Sequence, residues 1–195
     1  SLSDYTDLKL IHSSCNSKVY RAKKIADDTP VILKMLKERF PDPKLLVRYK
    51  QEFEITQSLQ SSGSIAAYEL FEHDHYYCLV LEDFGGVSLA SLLDEEALSI
   101  HEFLQIACKL TASLSEVHQN QIIHKDVNPS NVIFNRESGD LKLIDFGIST
   151  RLTREVPKLA PPNCLEGTLA YIAPEQTGRM NRSIDFRSDL YSLGA

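Results

Sequence analysis

Residues 124–131 read HKDVNPSN, residues 145–147 read DFG and residues 173–175 read APE. The first two segments each carry an aspartate, Asp126 and Asp145, among residues that favour turns. Carboxylate and amide oxygens are the ligands that Mg²⁺ prefers in proteins. Any one of these segments can arise by chance, but three in this order and at this spacing indicate a shared chemical role.

The three segments resemble the active site of the eukaryotic-type protein kinase superfamily. Phosphoryl transfer to a hydroxyl requires a carboxylate that accepts or orients the proton, and oxygen ligands for the Mg²⁺ that bridges the triphosphate. The resemblance implies that Asp126 takes the first role and that Asn131 and Asp145 bind Mg²⁺. It also implies ATP as the phosphoryl donor and Ser/Thr hydroxyls of a protein as the acceptors.

Composition and charge favour a cytoplasmic protein that binds no nucleic acid and has no membrane span. The chain has 195 residues, 43% hydrophobic and 25% charged, as in an ordinary protein of one or two domains. Its net charge of -6 gives no reason to expect nucleic-acid binding, and no apolar stretch approaches the roughly 18 residues that span a bilayer. Four widely spaced cysteines predict reduced thiols: Cys15, Cys78, Cys108 and Cys164. The first residue, Ser1, suggests a piece of a longer protein.

The first half of the chain predicts a small, strand-rich lobe. Short apolar runs bounded by turn residues predict strands at 8–11, 18–22, 31–35, 68–71 and 76–81. The segment Pro41-Asp42-Pro43 opens a helix after the third strand. Residues at helical spacing predict the buried face of that helix: Leu46, Tyr49, Phe53, Thr56 and Leu59. Gly85 and Gly86 interrupt the pattern and mark the end of the lobe.

The second half predicts a mainly helical lobe. A capping box at 99–102 starts a helix with one apolar face: Phe103, Ala107, Leu110, Leu114 and Val117. Short strands are predicted at 132–134 and 141–144, a loop at 149–165, and an apolar helix from Asp189. With the resemblance, the expected fold class is α+β. It is a bilobal kinase-like fold with an N-lobe at 1–84 and a C-lobe at 85–195 that is truncated at its C-terminus.

Lys34 ends the third predicted strand, where the resemblance places the lysine that holds the α- and β-phosphates. Its expected partner is a glutamate on the following helix. Glu52 is the better candidate, because Glu54 projects about 200° away around a helix with 3.6 residues per turn. We therefore predict a Lys34–Glu52 ion pair and interpret Glu54 as a surface carboxylate.

The resemblance also predicts the residues around the adenine of ATP. It places three apolar side chains against the base, and it assigns main-chain groups of two residues to the edge of the base. The apolar set is Val19, Ile32 and Ile133, and the main-chain set is Glu82 and Phe84. Because Ile32 replaces a smaller residue that is usual in the family, we expect a narrower slot.

Two nucleotide-side positions depart from the kinase pattern. The glycines of the phosphate-binding loop are expected at 12, 14 and 17, where this chain has His12, Ser14 and Ser17. Glycine permits close approach of the backbone to phosphate, so we expect a looser grip on ATP. Lys125 replaces the usual arginine beside Asp126 and offers a point charge rather than a bidentate fork.

Asn128 is the departure with the largest expected effect on turnover. The family has a lysine at this position that stabilises the phosphoryl group during its transfer. The resemblance therefore implies that three residues are catalytic: Asp126, Lys34 and Asn128. Asparagine keeps a hydrogen-bond donor but no charge. The loss of such an electrostatic contact often costs on the order of 10²–10³-fold in rate. We expect weak catalysis or a compensating basic residue from elsewhere in the protein, and we expect the 195 residues alone to be inactive.

Four further residues are expected to support the site without taking part in the chemistry. By resemblance, His124 hydrogen-bonds within its loop, and Thr168 contacts the same loop from the segment before APE. Asp189 is expected to hold the backbone of that loop, and Glu175 to pair with an arginine later in the family's large lobe.

A narrower likeness concerns the phrases at 124–131, 165–182 and 188–194. They look like the N-terminal kinase domain of large sensor histidine kinases of bacteria and fungi, in which ATPase-like, GAF and histidine-kinase modules follow. Two alternatives stay open. The first is a pseudokinase that binds nucleotide and regulates attached domains. The second is a small-molecule kinase of the aminoglycoside type, which shares the loop at 124–131 but lacks APE.

Overall fold

The computed structural model describes residues 1–59, 62–151, 167–177 and 183–195. Within them the chain forms two compact units. The first consists of Ser1–Gln60 with Ile65–Gly85, and the second of Ser61–Ser64 with Gly86–Ala195. Strands and helices occur in both, so the fold class is α+β, as the sequence predicts.

The first unit is built on a five-stranded antiparallel sheet with the order β1-β2-β3-β5-β4. Its elements are β1 (Tyr5–Ser13), β2 (Ser17–Lys24), β3 (Pro30–Leu36), α1 (Pro43–Ser58), β4 (Ala67–His73) and β5 (Tyr76–Glu82). Every predicted strand is present and each is longer than predicted, because pairing with a neighbour extends a strand into the polar residues at its ends.

The two faces of this sheet carry different residues, because side chains alternate along a strand. One face holds an apolar cluster that comprises Tyr5, Ala22, Val31, Leu33, Cys78 and Val80. Burial raises the pKa of the Cys78 thiol to about 12, so this cysteine is an inert core residue. On β3, the alternate positions Ile32 and Lys34 belong to the opposite face.

Helix α1 begins where the sequence predicts, with the Asp42 side chain accepting the Lys44 N–H at 2.7 Å. Tyr49, Thr56 and Leu59 of the predicted face are buried. Leu46 and Phe53 are half-buried, and Glu52 and Ile55 lie on the buried face instead. The predicted face is therefore partly wrong, because the apolar pattern could not show that an ion pair buries a glutamate.

The second unit contains one long helix, several short elements and two small sheets. The elements are β6 (Val87–Ser88), α2 (Leu89–Glu95), α3 (Ile100–Gln119), β7 (Ile122–Ile123), β8 (Val132–Phe134), β9 (Leu141–Leu143), β10 (Thr150–Arg151) and α4 (Phe186–Gly194). One sheet has the order β6-β8-β9, and the other pairs β10 with β7. The sequence did not predict α2, whose seven residues are too few for a clear period.

Helix α3 has the predicted capping box. The Ser99 Oγ accepts the Glu102 N–H at 3.2 Å, and the Glu102 carboxylate accepts the Ser99 N–H at 3.1 Å. The hydrogen bond from the Ser99 backbone lowers the pKa of Glu102. Of the predicted apolar face, Leu110, Leu114 and Val117 are buried and Ala107 is half-buried. Phe103 is 58% exposed and Ile106 is buried instead, so the face was wrong at its first turn.

Two predictions near the C-terminus are corrected. Thr150 and Arg151, in the predicted loop, pair with Ile123 and Ile122 as a short antiparallel ladder. Residues 152–165 of that loop lie outside the described residues. Helix α4 begins at Phe186 and not at Asp189, since the Asp185 side chain caps it.

The buried face of α4 is polar rather than apolar. It consists of Ser188, Asp189 and Ser192, while Leu190 and Tyr191 are about half exposed. The prediction of an apolar helix was therefore wrong about which side chains face the interior.

Two further observations concern membranes and cysteines. No helix among the described residues is long and apolar enough to span a bilayer. The described cysteines, Cys15, Cys78 and Cys108, are free thiols, and Cys164 lies outside the described residues.

Candidate active site

The loop at 124–126 is held by its backbone N–H groups. His124 and Lys125 donate to the two carboxylate oxygens of Asp189, at 2.8 and 2.7 Å. The Asp126 N–H donates to the Nδ1 of His124 at 3.3 Å. Lys125 has a φ of 69°, in the left-handed region that non-glycine residues adopt only when neighbours hold them there.

The three carbonyls of the same residues are also satisfied by side chains. Ser149 donates to His124 at 3.0 Å, Gln176 to Lys125 at 2.8 Å, and Asn131 and Asn128 to Asp126 at 2.9 and 3.1 Å. Sequence reasoning missed Ser149 and Gln176, although Gln176 directly follows the APE triplet. Because buried backbone groups are costly to leave unpaired, these seven hydrogen bonds to six backbone groups fix the path of the loop.

The carboxylate of Asp126 is oriented by two residues. One oxygen accepts the backbone N–H and the hydroxyl of Thr168, both at 2.8 Å. The other accepts the Nδ2 of Asn131 at 3.0 Å. The prediction that Thr168 contacts this loop is confirmed. Because these donors fix the carboxylate before any substrate arrives, Asp126 is preorganised to accept a further hydrogen bond.

His124 is fully buried and uses both ring nitrogens inside the protein. Its Nε2–H donates to the Ile144 carbonyl at 3.0 Å, and its Nδ1 accepts the Asp126 N–H. The ring also contacts buried Phe146, with 4.8 Å between centroids. His124 therefore supports the loop by hydrogen bonds, as the sequence predicts.

Asp189 anchors the loop from α4 and has no exposed surface. Besides the two N–H groups, the Nε2 of His118 lies 2.8 Å from its Oδ2. The prediction that Asp189 holds the backbone of this loop is confirmed. His118, at the C-terminal end of α3, was missed, because its partner is 71 residues away and no sequence pattern connects them.

Asn131 and Asp145 provide the oxygen atoms expected of a metal site. The Nδ2 of Asn131 donates to Asp126, so the amide oxygen is the atom that can face a cation. Asp145 is exposed, has a φ of 63° and accepts the Gly147 N–H at 3.3 Å. No group of three or more His, Cys, Asp or Glu among the described residues forms a metal cage. This set fits a cation that arrives with a polyphosphate, because such Mg²⁺ takes few ligands from the protein.

Asn128 is 6% exposed and uses its amide within the loop. Its oxygen accepts the Ser130 N–H at 2.9 Å, and its Nδ2 donates to the Asp126 carbonyl and to the Thr168 hydroxyl at 3.0 Å. Asn128 stands where the family has a charged lysine, and both of its amide hydrogens are donated to protein groups.

In the first unit, Lys34 and Glu52 form the predicted ion pair. The Nζ of Lys34 lies 2.7 and 2.9 Å from the two carboxylate oxygens. Glu52 is 4% exposed, whereas Glu54 is exposed, as its interpretation as a surface carboxylate requires. Because the pair is largely shielded from water, separating Lys34 from Glu52 would leave a buried charge without compensation. Such a pair therefore depends on its geometry more than a surface pair does.

The residues predicted around the adenine belong to different elements. Val19 on β2 is directly opposite Lys34 on β3, and Ile32 is two positions before Lys34. These three positions therefore share the face of the sheet to which Lys34 belongs. The N–H of Glu82 donates to the Ala66 carbonyl at 2.9 Å. Phe84 is half-buried beyond β5, and half-buried Ile133 lies on β8 in the second unit.

The glycine-free turn between β1 and β2 is closed by its own serines. The Ser14 Oγ accepts the Ser17 N–H at 3.1 Å and lies 3.0 Å from the Ser17 Oγ. The Nζ of Lys37 donates to the Ser14 carbonyl, and the Lys37 N–H to the Asn16 carbonyl at 2.9 Å. His12 is opposite Val19 and exposed.

The segment before APE depends on one glycine. Gly167 has a φ of 111°, and a Cβ there would lie 3.1 Å from the Lys125 carbonyl. Glycine therefore allows Thr168 to approach Asp126. Glu175 accepts the Ser188 hydroxyl at 2.6 Å, a contact that the sequence did not predict.

Comparison with known proteins agrees with this geometry. The family model described as a protein kinase domain matches residues 5–195. Serine/threonine-protein kinase PrkC of Bacillus subtilis is 30% identical over 97% of the chain, and PknL of Mycobacterium tuberculosis is 31% identical over 94%. Serine/threonine-protein kinase TIO of Arabidopsis thaliana is 28% identical over 98%.

The chain spans 29% of PrkC, 45% of PknL and 14% of TIO, so it corresponds to a part of each relative. The matched span nevertheless includes the loop at 124–131, the DFG triplet and the APE triplet. Family members use ATP with a divalent metal and act on protein substrates, which agrees with the oxygen donors of the site. The chain therefore belongs to the protein kinase domain family.

Proposed function

We propose that this chain is the ATP-dependent catalytic domain of a serine/threonine protein kinase in a signal-transduction protein. The observation that carries the proposal is the carboxylate of Asp126, which three donors orient and which the buried loop supports. The curated relatives are named serine/threonine-protein kinases, which favours Ser and Thr as the acceptors.

Each charged residue then has a defined role. Asp126 orients the acceptor hydroxyl and receives its proton. Asn131 and Asp145 hold Mg²⁺, which would neutralise charge on the triphosphate. Lys34, paired with Glu52, holds the α- and β-phosphates. The base is bound by Val19, Ile32 and Ile133 and by main-chain groups of Glu82 and Phe84.

Asn128 limits the expected rate. Its amide stabilises the loop and the Thr168 contact, so it contributes to catalysis by positioning and supplies no charge to the phosphoryl group. The turn at Ser14 and Ser17 lacks the close main-chain approach that glycine allows. Both features favour slow turnover.

The domain boundaries, the modules of the parent protein and its location are also proposals. Residues 1–84 would be the N-lobe and 85–195 the incomplete C-lobe of the kinase domain. The phrases at 165–182 and 188–194 favour a multi-domain sensor with ATPase-like, GAF and histidine-kinase modules in the parent protein. The free thiols of Cys15, Cys78 and Cys108 support a cytoplasmic location.

The test is transfer of the γ-phosphate of ATP to a protein substrate by the full-length protein and by its Asp126→Asn variant. Loss of a positioned general base typically costs 10²–10⁴-fold, so we expect kcat to fall by about 10³-fold. Asp140→Asn is the matched control, because Asp140 is exposed in the turn between β8 and β9. Undiminished activity in Asp126→Asn would overturn the mechanism.

A binding measurement beside the transfer assay distinguishes an enzyme from a nucleotide-binding regulator. ATP binding without transfer by the natural full-length protein, measured by calorimetry with Mg²⁺, would replace the kinase assignment with the regulatory one. Binding that disappears in Asp145→Asn would still support the proposed metal site.

A further inference from the structure

Tyr49 is a buried tyrosine whose hydroxyl contacts two strands of the sheet. It lies on α1 and is 3% exposed. Its hydroxyl donates to the Lys34 carbonyl on β3 and accepts the Leu79 N–H on β5 at 3.1 Å. Lys34 and Leu79 are directly opposite each other in the β3–β5 register. One hydroxyl therefore connects helix α1 to the main chain of two neighbouring strands.

Tyr49 and Glu52 are three residues apart, so they share a face of α1. The first contacts the carbonyl of Lys34 and the second contacts its ammonium. The same lysine is thus bound at its main chain and at the end of its side chain by consecutive turns of one helix. A sliding or rotation of α1 that separated Tyr49 from the sheet would also move Glu52 from Lys34.

Two other hydroxyl-bearing residues of α1, buried Thr56 and exposed Ser58, donate to carbonyls of their own helix. The Thr56 hydroxyl donates back to the Glu52 carbonyl at 2.7 Å, and that of Ser58 to the Ile55 carbonyl at 2.7 Å. Apolar packing by Ile55 allows small shifts, because it is not directional. A hydrogen bond is directional, so the Tyr49 contact selects one position of the helix.

We propose that Tyr49 is a positioning residue that seats α1 on the sheet and so places Glu52 against Lys34. It acts through the ion pair and does not touch the nucleotide. The inference rests on the proposed function for its consequence in catalysis, since Lys34 is assigned to the phosphates there. The placement of Lys34 itself can be measured without any turnover.

The experiment compares the natural full-length protein with Tyr49→Phe, which removes only the hydroxyl. Lys34 is labelled with acetic anhydride, and its acetylated fraction is quantified by mass spectrometry. Because acylation requires the amine lone pair, an ammonium held by a carboxylate reacts slowly. We expect Tyr49→Phe to raise the labelling rate of Lys34 about fivefold, the equilibrium factor of one ordinary hydrogen bond.

A reference lysine and a control variant show whether a change in labelling is specific to Lys34 and Tyr49. Lys23, whose side chain is 52% exposed on β2, should label equally in both proteins and shows that both received the same dose of reagent. Tyr68→Phe, at a tyrosine that is 51% exposed on β4, should leave Lys34 unchanged. Glu52→Gln sets the upper limit. If Tyr49→Phe labels Lys34 at the natural rate while Glu52→Gln accelerates it, the proposal is wrong.

A double-mutant cycle on kcat/KM for ATP supplies the second readout. We expect Tyr49→Phe to reduce kcat/KM about fivefold alone and to add little in the Glu52→Gln background. Equal losses in both backgrounds would show that Tyr49 acts independently of the ion pair and would overturn the proposal. If the natural protein has no kinase activity, the proposed function fails, while the labelling still decides the role of Tyr49.

Discussion

The loop at 124–131 and the turn at 14–17 are built in opposite ways. The loop is buried, and its polar groups contact residues from distant parts of the chain such as Asp189, Ser149 and Gln176. The turn is largely exposed and is closed by its own serines and by Lys37. The loop therefore depends on contacts with distant parts of the chain, whereas the turn is closed mainly by hydrogen bonds between its own serines.

The first test of this contrast is the variant Asp189→Ala, which has the largest expected effect on stability. It leaves two N–H groups of the loop and the imidazole of His118 without their acceptor. Removal of one member of a buried polar network typically costs 3–5 kcal/mol, so we expect a loss of about 3 kcal/mol in the free energy of unfolding. Denaturant unfolding measures the loss, and kinase activity should fall with it.

Asp140→Ala is the control for that variant, because it removes an exposed carboxylate from the same unit. An Asp189→Ala protein with the stability of the natural protein would mean that the distant contact with α4 does not stabilise the loop. The contrast between the two regions would then be much weaker than the contacts suggest.

Ser14→Ala tests the other side of the comparison and should have a smaller effect. The Ser14 side chain accepts one N–H in an exposed turn, where water can replace it. We expect about 0.5 kcal/mol less stability, the lower limit for an ordinary hydrogen bond, and about twofold weaker ATP binding. Thermal unfolding and calorimetry measure the two quantities.

Ser13→Ala, at the preceding exposed residue on β1, is the matched control for Ser14→Ala. A loss of binding beyond about tenfold in Ser14→Ala alone would indicate that the serine hydroxyl contacts phosphate directly. The turn would then be as preorganised as the loop, contrary to the comparison.

Glu102→Gln has the smallest expected effect. It tests a local contact in the second unit, the capping box between Ser99 and Glu102. The backbone N–H and hydroxyl of Ser99 lower the pKa of Glu102 below its ordinary value of 4.5. A lowered pKa in the folded state stabilises the protein above pH 4.5, and the stabilisation is lost as pH falls through the lowered value. Thermal unfolding should show Glu102→Gln slightly less stable than the natural protein at pH 7.

The stability difference of Glu102→Gln should shrink as the pH falls from 4.5 through the lowered pKa of Glu102, since the unfolded and then the folded carboxylate become protonated over that range. Glu137→Gln, at an exposed residue of the turn after β8, should show no such pH dependence. A difference that stayed constant down to pH 2 would exclude the capping carboxylate as its source.

Part of the site could be predicted because its residues are close in sequence or follow a familiar spacing. The kinase resemblance assigned Asp126, Asn131 and Asp145 from the segments that carry them. It also implied a glutamate partner for Lys34, and the helical period favoured Glu52 over Glu54. Tyr49 and His118 could not be found in this way. A buried hydroxyl or imidazole becomes informative only when the distant atom it contacts is known.

The fold shows the same division. The capping box at 99–102 and the breakers before α1 predicted helix starts correctly, because capping is a local interaction. The buried face of α4 was wrongly predicted, since Ser188 and Asp189 are buried by contacts with Glu175 and with the loop at 124–125. Hydrophobic periodicity cannot predict burial that hydrogen bonds compensate.

By itself the sequence determined the protein kinase pattern, the residues with the required chemistry and the loss of charge at Asn128. Only the tertiary structure decided how those residues are held: that the Asn128 amide supports the loop, that Asp189 binds its backbone, and that Tyr49 contacts the sheet beside Lys34. The physical reason is the range of the interactions. Residue type and spacing record local chemistry, whereas a buried polar group is stable only with a partner that the folded chain brings to it.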